Sequence, residues 1–374
     1  MTYIPRRTAL AAALCATGFA LLAGQAAHAD DDVKFKGGGF GTLGATRTNL
    51  DGTQFRTTLN HYSGADKDVD LGVDSRLGLQ GSVIYKSDFV LTGQLLGMRR
   101  EDEDFAMDVE WLYAQYKGVP GLDLKAGRMA LPAFLVSDSR FVGYATPWLR
   151  VPPLVYSMLP LSTVDGLQAG YSHAIGPAVA SVQVTHGRGK VDLSVVQGGL
   201  TSEIHADQEN VNSVNFMVEW GDWTARLGQV TSDVGFKIDI PAIPLTGLPG
   251  PQFKDKFTGL GFQYDNGKVV VITEYVQRKT TPKTFDSKAW YVAGGYRFGE
   301  VMPYVVISKY TPETAKSSKG TALGVRYDFA KNVALKAEFA RYDTNGTLIF
   351  TDAETPAIAD KKVNVISVAL DFVF

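Results

Sequence analysis

The sequence predicts an all-β chain that closes into a transmembrane antiparallel β-barrel of about sixteen strands. Three observations carry that expectation. Apolar and polar residues alternate along many segments, the connections between those segments are alternately short and long, and aromatic residues gather beside the short ones. No window after the amino-terminal segment shows a sustained helical apolar period.

The amino-terminal segment stands apart. "MTYIPRRTALAAALCATGFALLAGQAAHA" joins a basic start (Arg6, Arg7) to an apolar run from Ala9 to Ala23 and a small-residue site, Ala27-His28-Ala29. That order reads as an export signal over residues 1–29, leaving 30–374 as the barrel. A membrane anchor would want about 20 apolar residues and a stop-transfer flank, and Leu14 before Cys15 does not suit a lipoprotein signal. Removing the signal removes the single cysteine, so neither disulfide nor thiolate chemistry is expected. Without Arg6 and Arg7, 35 of the 37 basic residues face 39 acidic ones, a net charge of −4. That mild acidity argues against nucleic acid, which calls for a basic footprint.

The strands follow from a period of two. In "LGVDSRLGLQG", Leu71, Val73, Leu77 and Leu79 oppose Asp74, Arg76 and Gln80. In "TALGVRYDF", Leu323, Val325, Tyr327 and Phe329 oppose Gly324, Arg326 and Asp328. In "NVALKAEFARY", Val333, Leu335, Ala337 and Phe339 oppose Lys336, Glu338 and Tyr342. Each such strand has one apolar face for lipid and one polar face for water.

The connections set the topology. Short turns fall at Ser87-Asp88, Val119-Pro120-Gly121, Ile175-Gly176-Pro177, Gly221-Asp222, Asp265-Asn266-Gly267, Gly299-Glu300 and Ala330-Lys331-Asn332. Gly and Asn reach positive φ cheaply and Pro presets its own, so several of these are hairpin turns. Between them lie longer stretches near 47–69, 101–106, 130–164, 187–210, 234–255, 280–287, 311–318 and 344–361, read as irregular loops. Seven hairpins, a first strand from Val33 to Thr46 and a last one from Lys362 to Phe374 give the strand count. Short turns at one end and long loops at the other mark an outer-membrane barrel. Tyr85, Phe89, Tyr116, Trp220, Trp223, Tyr264, Phe298, Tyr327 and Phe329 all sit beside short turns, as an interfacial girdle requires.

The last strand, "KVNVISVALDFVF", alternates Ile366, Val368, Leu370, Phe372 and Phe374 against Val365, Ser367, Ala369 and Asp371. Together with the signal and the loop pattern, it resembles the sixteen-stranded general porins of Gram-negative bacteria. The resemblance implies an outer-membrane location amid lipid bilayer and lipopolysaccharide, a homotrimer, and recognition of the strand ending in Phe374 by the barrel-assembly machinery. It also implies that the third long loop, residues 130–164, folds inside and narrows the pore, and that Gly127-Arg128 supplies a wall arginine. The family's acidic loop turn is missing: Asp138 is the loop's only acid, with Arg140 and Arg150 as bases.

Lumen positions then include Arg76, Arg100, Arg226, Arg297, Arg326 and Lys336, against Asp74, Glu110, Glu274, Asp328 and Glu338. Fixed charge of this kind biases ion passage. The two signs nearly balance, and the loop's two bases tip the expectation weakly toward anions. Phe134, Phe141, Tyr144, Trp148 and Tyr156 give the loop an unusual apolar content. They are either a track on which solutes stack or side chains that glue the loop to the wall, and the second reading is favoured.

Other motifs fall away. "DKDVDLGVDSRL" lacks the glycine and the terminal glutamate of a calcium loop; the histidines lack metal-ligand spacing; no catalytic cluster or cofactor motif is present. The literal G-x-G-x-x-G in "GGGFGTLG", Gly37–Gly44, precedes no helix, so it reads as the middle of the first strand, where glycine lets a neighbour approach closely. The expectation is a passive diffusion channel for small hydrophilic solutes and ions, without enzymatic activity, cofactor or metal. A substrate-specific porin using the aromatic loop is the nearest alternative, ahead of a barrel adhesin or a barrel enzyme.

Overall fold

The computed structural model describes residues 32–61, 63–100, 105–197, 200–240, 242, 245–345, 347, 349–352 and 361–374; the expected export signal lies outside them. The first half comprises β1 (Val33–Thr48), the short β2 (Thr53–Phe55), β3 (Arg76–Tyr85), β4 (Phe89–Met98), β5 (Ala106–Tyr116), β6 (Leu122–Ala130), β7 (Thr163–Ile175), β8 (Ala178–Gln197) and β9 (Leu200–Trp220). The second comprises β10 (Trp223–Ile240), β11 (Leu245–Asp265), β12 (Val269–Thr281), β13 (Ser287–Tyr296), β14 (Val301–Pro312), β15 (Ser318–Ala330), β16 (Val333–Asp343), the short β17 (Phe350–Asp352) and β18 (Lys362–Val373). All but β2 and β17 form one closed antiparallel barrel of sixteen strands, in which β1 lies between β3 and β18.

The alternation read from sequence is realised as two faces. Along β16, Leu335 and Phe339 are exposed outside while Ala334, Lys336, Glu338 and Ala340 are buried inside. Tyr85, Phe89, Trp220, Trp223, Phe298, Tyr327 and Phe329 stand exposed around the short-turn rim. At the seam, Gly41 pairs with Phe372 and Gly39 accepts and donates backbone hydrogen bonds with Phe374. A Cβ on Gly39 or Gly41 would collide with the rings of Phe374 and Phe372, which is the work the glycine run performs.

Two of the expected irregular loops are strand instead. Residues 187–197 with 200–210, and 234–240 with 245–255, continue β8–β9 and β10–β11 as paired backbone, with Lys190 opposite Asp207 and Val234 opposite Phe253. Above the lipid no face has to be apolar, so the alternation that signals a strand fades while its hydrogen bonds go on.

Two loops enter the interior. The loop between β6 and β7 folds inward through two single 3-10 turns (Ser137–Ser139, Gly143–Ala145) and a one-turn helix α1 (Pro153–Tyr156). The loop after β1 pairs its β2 with β17 and reaches across the mouth to β8. There Arg56 Nη1 donates to the Ser194 carbonyl (2.6 Å) and Asn60 Nδ2 to that of Asp192 (2.9 Å). Phe55, Leu59 and Val73 of this loop share one apolar core with Phe134, Trp148 and Tyr156 of the inner loop and with wall residues Val230, Phe257 and Tyr304. His61, in the same mouth loop, is 1% exposed. Burial, with Arg99 and Arg56 nearby, holds its imidazole well below its ordinary value of 6.5.

Candidate constriction site

An irregular loop inside a barrel carries backbone groups that no ladder satisfies, and each needs a partner. The wall supplies them by sign. Lys336 Nζ donates to the carbonyls of Gly143 (2.8 Å), Thr146 (2.7 Å) and Trp148 (3.0 Å) while pairing with Asp371 at 2.8 Å. Arg326 Nη1 donates to Tyr144 (2.9 Å) and Thr146 (3.1 Å), Arg226 to Pro132, and Arg278 to Met158 (3.3 Å). The acid Glu274 does the converse: it accepts the Leu135 N–H (2.7 Å) and the hydroxyls of Tyr156 (2.5 Å) and Tyr291 (3.0 Å). Charge-assisted bonds of this kind are stronger than neutral ones, so much of the wall charge fixes the loop.

The loop's rings follow suit. Phe134 stacks on Tyr156 with centroids 4.2 Å apart and meets Phe257 of the wall edge-on at 5.2 Å; Trp148 lies 6.3 Å from Tyr304. Phe134, Trp148 and Tyr156 are only 1–2% exposed, so a track of five rings is not formed: these three are glue, because a folded-in loop must bury apolar surface to stay folded. Phe141 packs partly against Phe40, Leu96 and Met98. Tyr144, with the Arg326 guanidinium 4.9 Å from its centroid, lines a cavity of about 430 Å³.

That cavity also contains Arg297, bidentate to Asp265 (2.6 and 2.8 Å), and Arg326, held by Asp328 (2.8 Å). A second cavity of about 270 Å³ lies along Pro132–Ser139, bordered by Asp123, Asp138, Asn215 and Arg226. The two share Val136 and Ser139, so they meet at the loop's edge. Asp138 is exposed there. The loop's bases are not: Arg140 is 7% exposed, under the rings of Phe141 and Tyr156 (5.0 and 5.8 Å), and Arg150 is 5% exposed, paired with Asp74 at 2.9 Å. Arg76, at the start of β3, is partly buried behind the loop and borders a small cavity with Arg140 and Arg150.

Arg128 corrects the sequence reading. It pairs across strands with Leu112 and Asp165, beside Leu124, Leu112 and Leu167, which are all exposed on the outer face. Its neighbour Met129 is 2% exposed, in the inner core. Arg128 therefore points out of the barrel, bidentate to Asp165 (2.7 and 2.9 Å). Parity decides this: Leu124, Ala126 and Arg128 share one face, whereas Asp123, Lys125 and Gly127 share the other.

A closed sixteen-stranded barrel with short turns at one end, long loops at the other and a loop folded into the lumen defines an outer-membrane channel for passive diffusion. A sequence model of the Gram-negative porin family matches residues 9–347, and the chain belongs to that family. Its fold is similar to that of OmpT of Vibrio cholerae in trimer form (17% identity, 92% of this chain and 100% of that one, TM-score 0.59). It is likewise similar to an anion-selective porin from Comamonas acidovorans (13%, 91% and 100%, 0.58) and to Salmonella typhi OmpF in complex with daunomycin (13%, 93% and 99%, 0.59). No curated protein matches the sequence. Family and fold together indicate a channel located in the outer membrane.

Proposed function

We propose that solutes pass along the exposed edge of the inner loop, between Asp138–Ser139 and Tyr144, where the two lumen cavities meet. The supporting observation is their shared lining at Val136 and Ser139. Small hydrophilic solutes suit such a route, since both cavities are bordered by charged and hydroxyl groups. A count of loop bases favours anions, but burial reverses that: Arg140 and Arg150 face protein, Arg297 and Arg326 are paired, and Asp138 faces water. The channel therefore prefers cations weakly. A homotrimer, as in the trimer form of the similar OmpT structure, belongs to the same reading, as do surrounding lipopolysaccharide and recognition of the strand ending in Phe374 by the barrel-assembly machinery.

Planar-bilayer recordings under a salt gradient test the route. Asp138→Asn moves the reversal potential toward anions at nearly unchanged conductance; an identical potential in the variant removes Asp138 from the path.

A further inference from the structure

Behind the inner loop, three guanidiniums converge on one small space. Arg76 leaves the wall at the first residue of β3, and Arg140 and Arg150 come from the loop. With Asp74, Ser75 and Thr58 they border a cavity of about 20 Å³. Arg140 and Arg150 are 7% and 5% exposed. Among the described residues, the Nε atoms of Arg76, Arg140 and Arg150, and Nη1 of Arg150, have no hydrogen-bond partner. Among the described residues only Arg150 of the three pairs with a carboxylate, Asp74 at 2.9 Å, through Oδ2, and Asp74 Oδ1 has no partner.

Asp371, Glu110 and Glu338 also act on these guanidiniums but bond Thr42, Ser162 and Tyr304. Buried N–H donors therefore face the cavity without an acceptor, a cost that a particle accepting several of them relieves. Size then selects the candidate. A cavity needs roughly 10–15 Å³ to hold one water-sized particle, so this one takes a single monatomic ion or a single water, and excludes sulfate, phosphate or a carboxylic acid. We propose that it is a halide site, occupied by chloride, and that the ion fastens the loop to β3. The ion would be a resident of the fold, shielded from the solute path, and its presence is independent of whether Asp138 borders that path.

Crystals grown with bromide in place of chloride, measured at the bromine absorption edge, test this directly. An anomalous peak among Arg76, Arg140 and Arg150 is expected. So is a higher unfolding midpoint of the detergent-solubilised protein in chloride or bromide than in gluconate at equal ionic strength, saturating with concentration. Arg140→Gln should remove both the peak and the halide dependence. Density with no anomalous signal, meaning water alone, overturns the proposal, as does a halide dependence that persists in Arg140→Gln. Should Arg140→Gln fail to fold, the bromide peak in the unaltered protein decides.

Discussion

Replacing Lys336 with methionine keeps the bulk of the side chain and deletes its ammonium. Four acceptors lose a donor: the carbonyls of Gly143, Thr146 and Trp148 and the carboxylate of Asp371. Two of them have reserves, since Thr146 keeps Arg326 and Asp371 keeps the Thr42 hydroxyl at 2.5 Å. The uncompensated losses are the two remaining carbonyls and the charge of Asp371, which is fully buried. Orphaning a buried acceptor costs about 1–3 kcal/mol, and breaking a buried ion pair about 3–5 kcal/mol. Because these overlap, about 3–5 kcal/mol is a fair total for undocking the middle of the loop. At about 1.4 kcal/mol per tenfold change, the docked-to-undocked ratio falls by roughly 2–3.5 decades. Single-channel recordings of Lys336→Met should show a larger and noisier conductance, accompanied by faster proteolytic cleavage between residues 131 and 162. Methionine is preferred to alanine because a truncation would add a cavity cost of its own. Wild-type conductance, noise and cleavage rate in Lys336→Met would refute the idea that wall cations clamp the loop.

Arg128→Ala should leave the reversal potential unchanged, because the side chain lies on the outer face; a shift toward cations would put it back in the lumen. Gly41→Val forces a branched side chain into the Phe372 ring and should sharply lower the yield of heat-modifiable folded barrel on detergent gels, whereas Gly235→Ala, whose nearest neighbour is 4.0 Å away, should fold normally. His61 gives a pH dependence with a definite sign. Its folded-state value lies below 6.5, so the unfolded chain binds the proton first. The stability of the mouth loop is complete above about pH 6.5 and declines by up to about 1.4 kcal/mol per pH unit as pH falls toward the folded value. Protease sensitivity of residues 49–75 should therefore rise between neutral and acidic pH, and His61→Gln should flatten the profile; an equally steep profile in the variant would rule His61 out.

The barrel was legible because a membrane enforces its pattern: lipid on one side dictates every second residue, as in Leu335, Ala337 and Phe339. Where lipid ends, as beyond Gly187 on β8, the same hydrogen-bonded strand leaves no such mark. Arg128 was misplaced through a motif, although the parity of its own strand contains the correct answer. The lumen positions of Lys336, Glu274 and Arg326 could be read from alternation, but alternation gives a face and not a partner. Whether an inward lysine meets water or three loop carbonyls depends on contacts between segments nearly 200 residues apart, such as Lys336 with Gly143. The ring-rich loop was the exception, since aromatic residues in a segment enclosed by a polar lumen predict burial on physical grounds.

The seam between β1 and β18 has a bearing on how the molecule is made. The inner loop takes anchors from both sides of it: Thr46 of β1 and Ser367 of β18 bond each other at 2.9 Å and both face Arg150, while Thr42 of β1 bonds Asp371 of β18 beside Lys336. A loop gripped by the chain's first and last strands finds its full set of partners only when those strands meet. Loop docking is thereby complete only where the ring has closed, so an unclosed chain cannot display a finished pore.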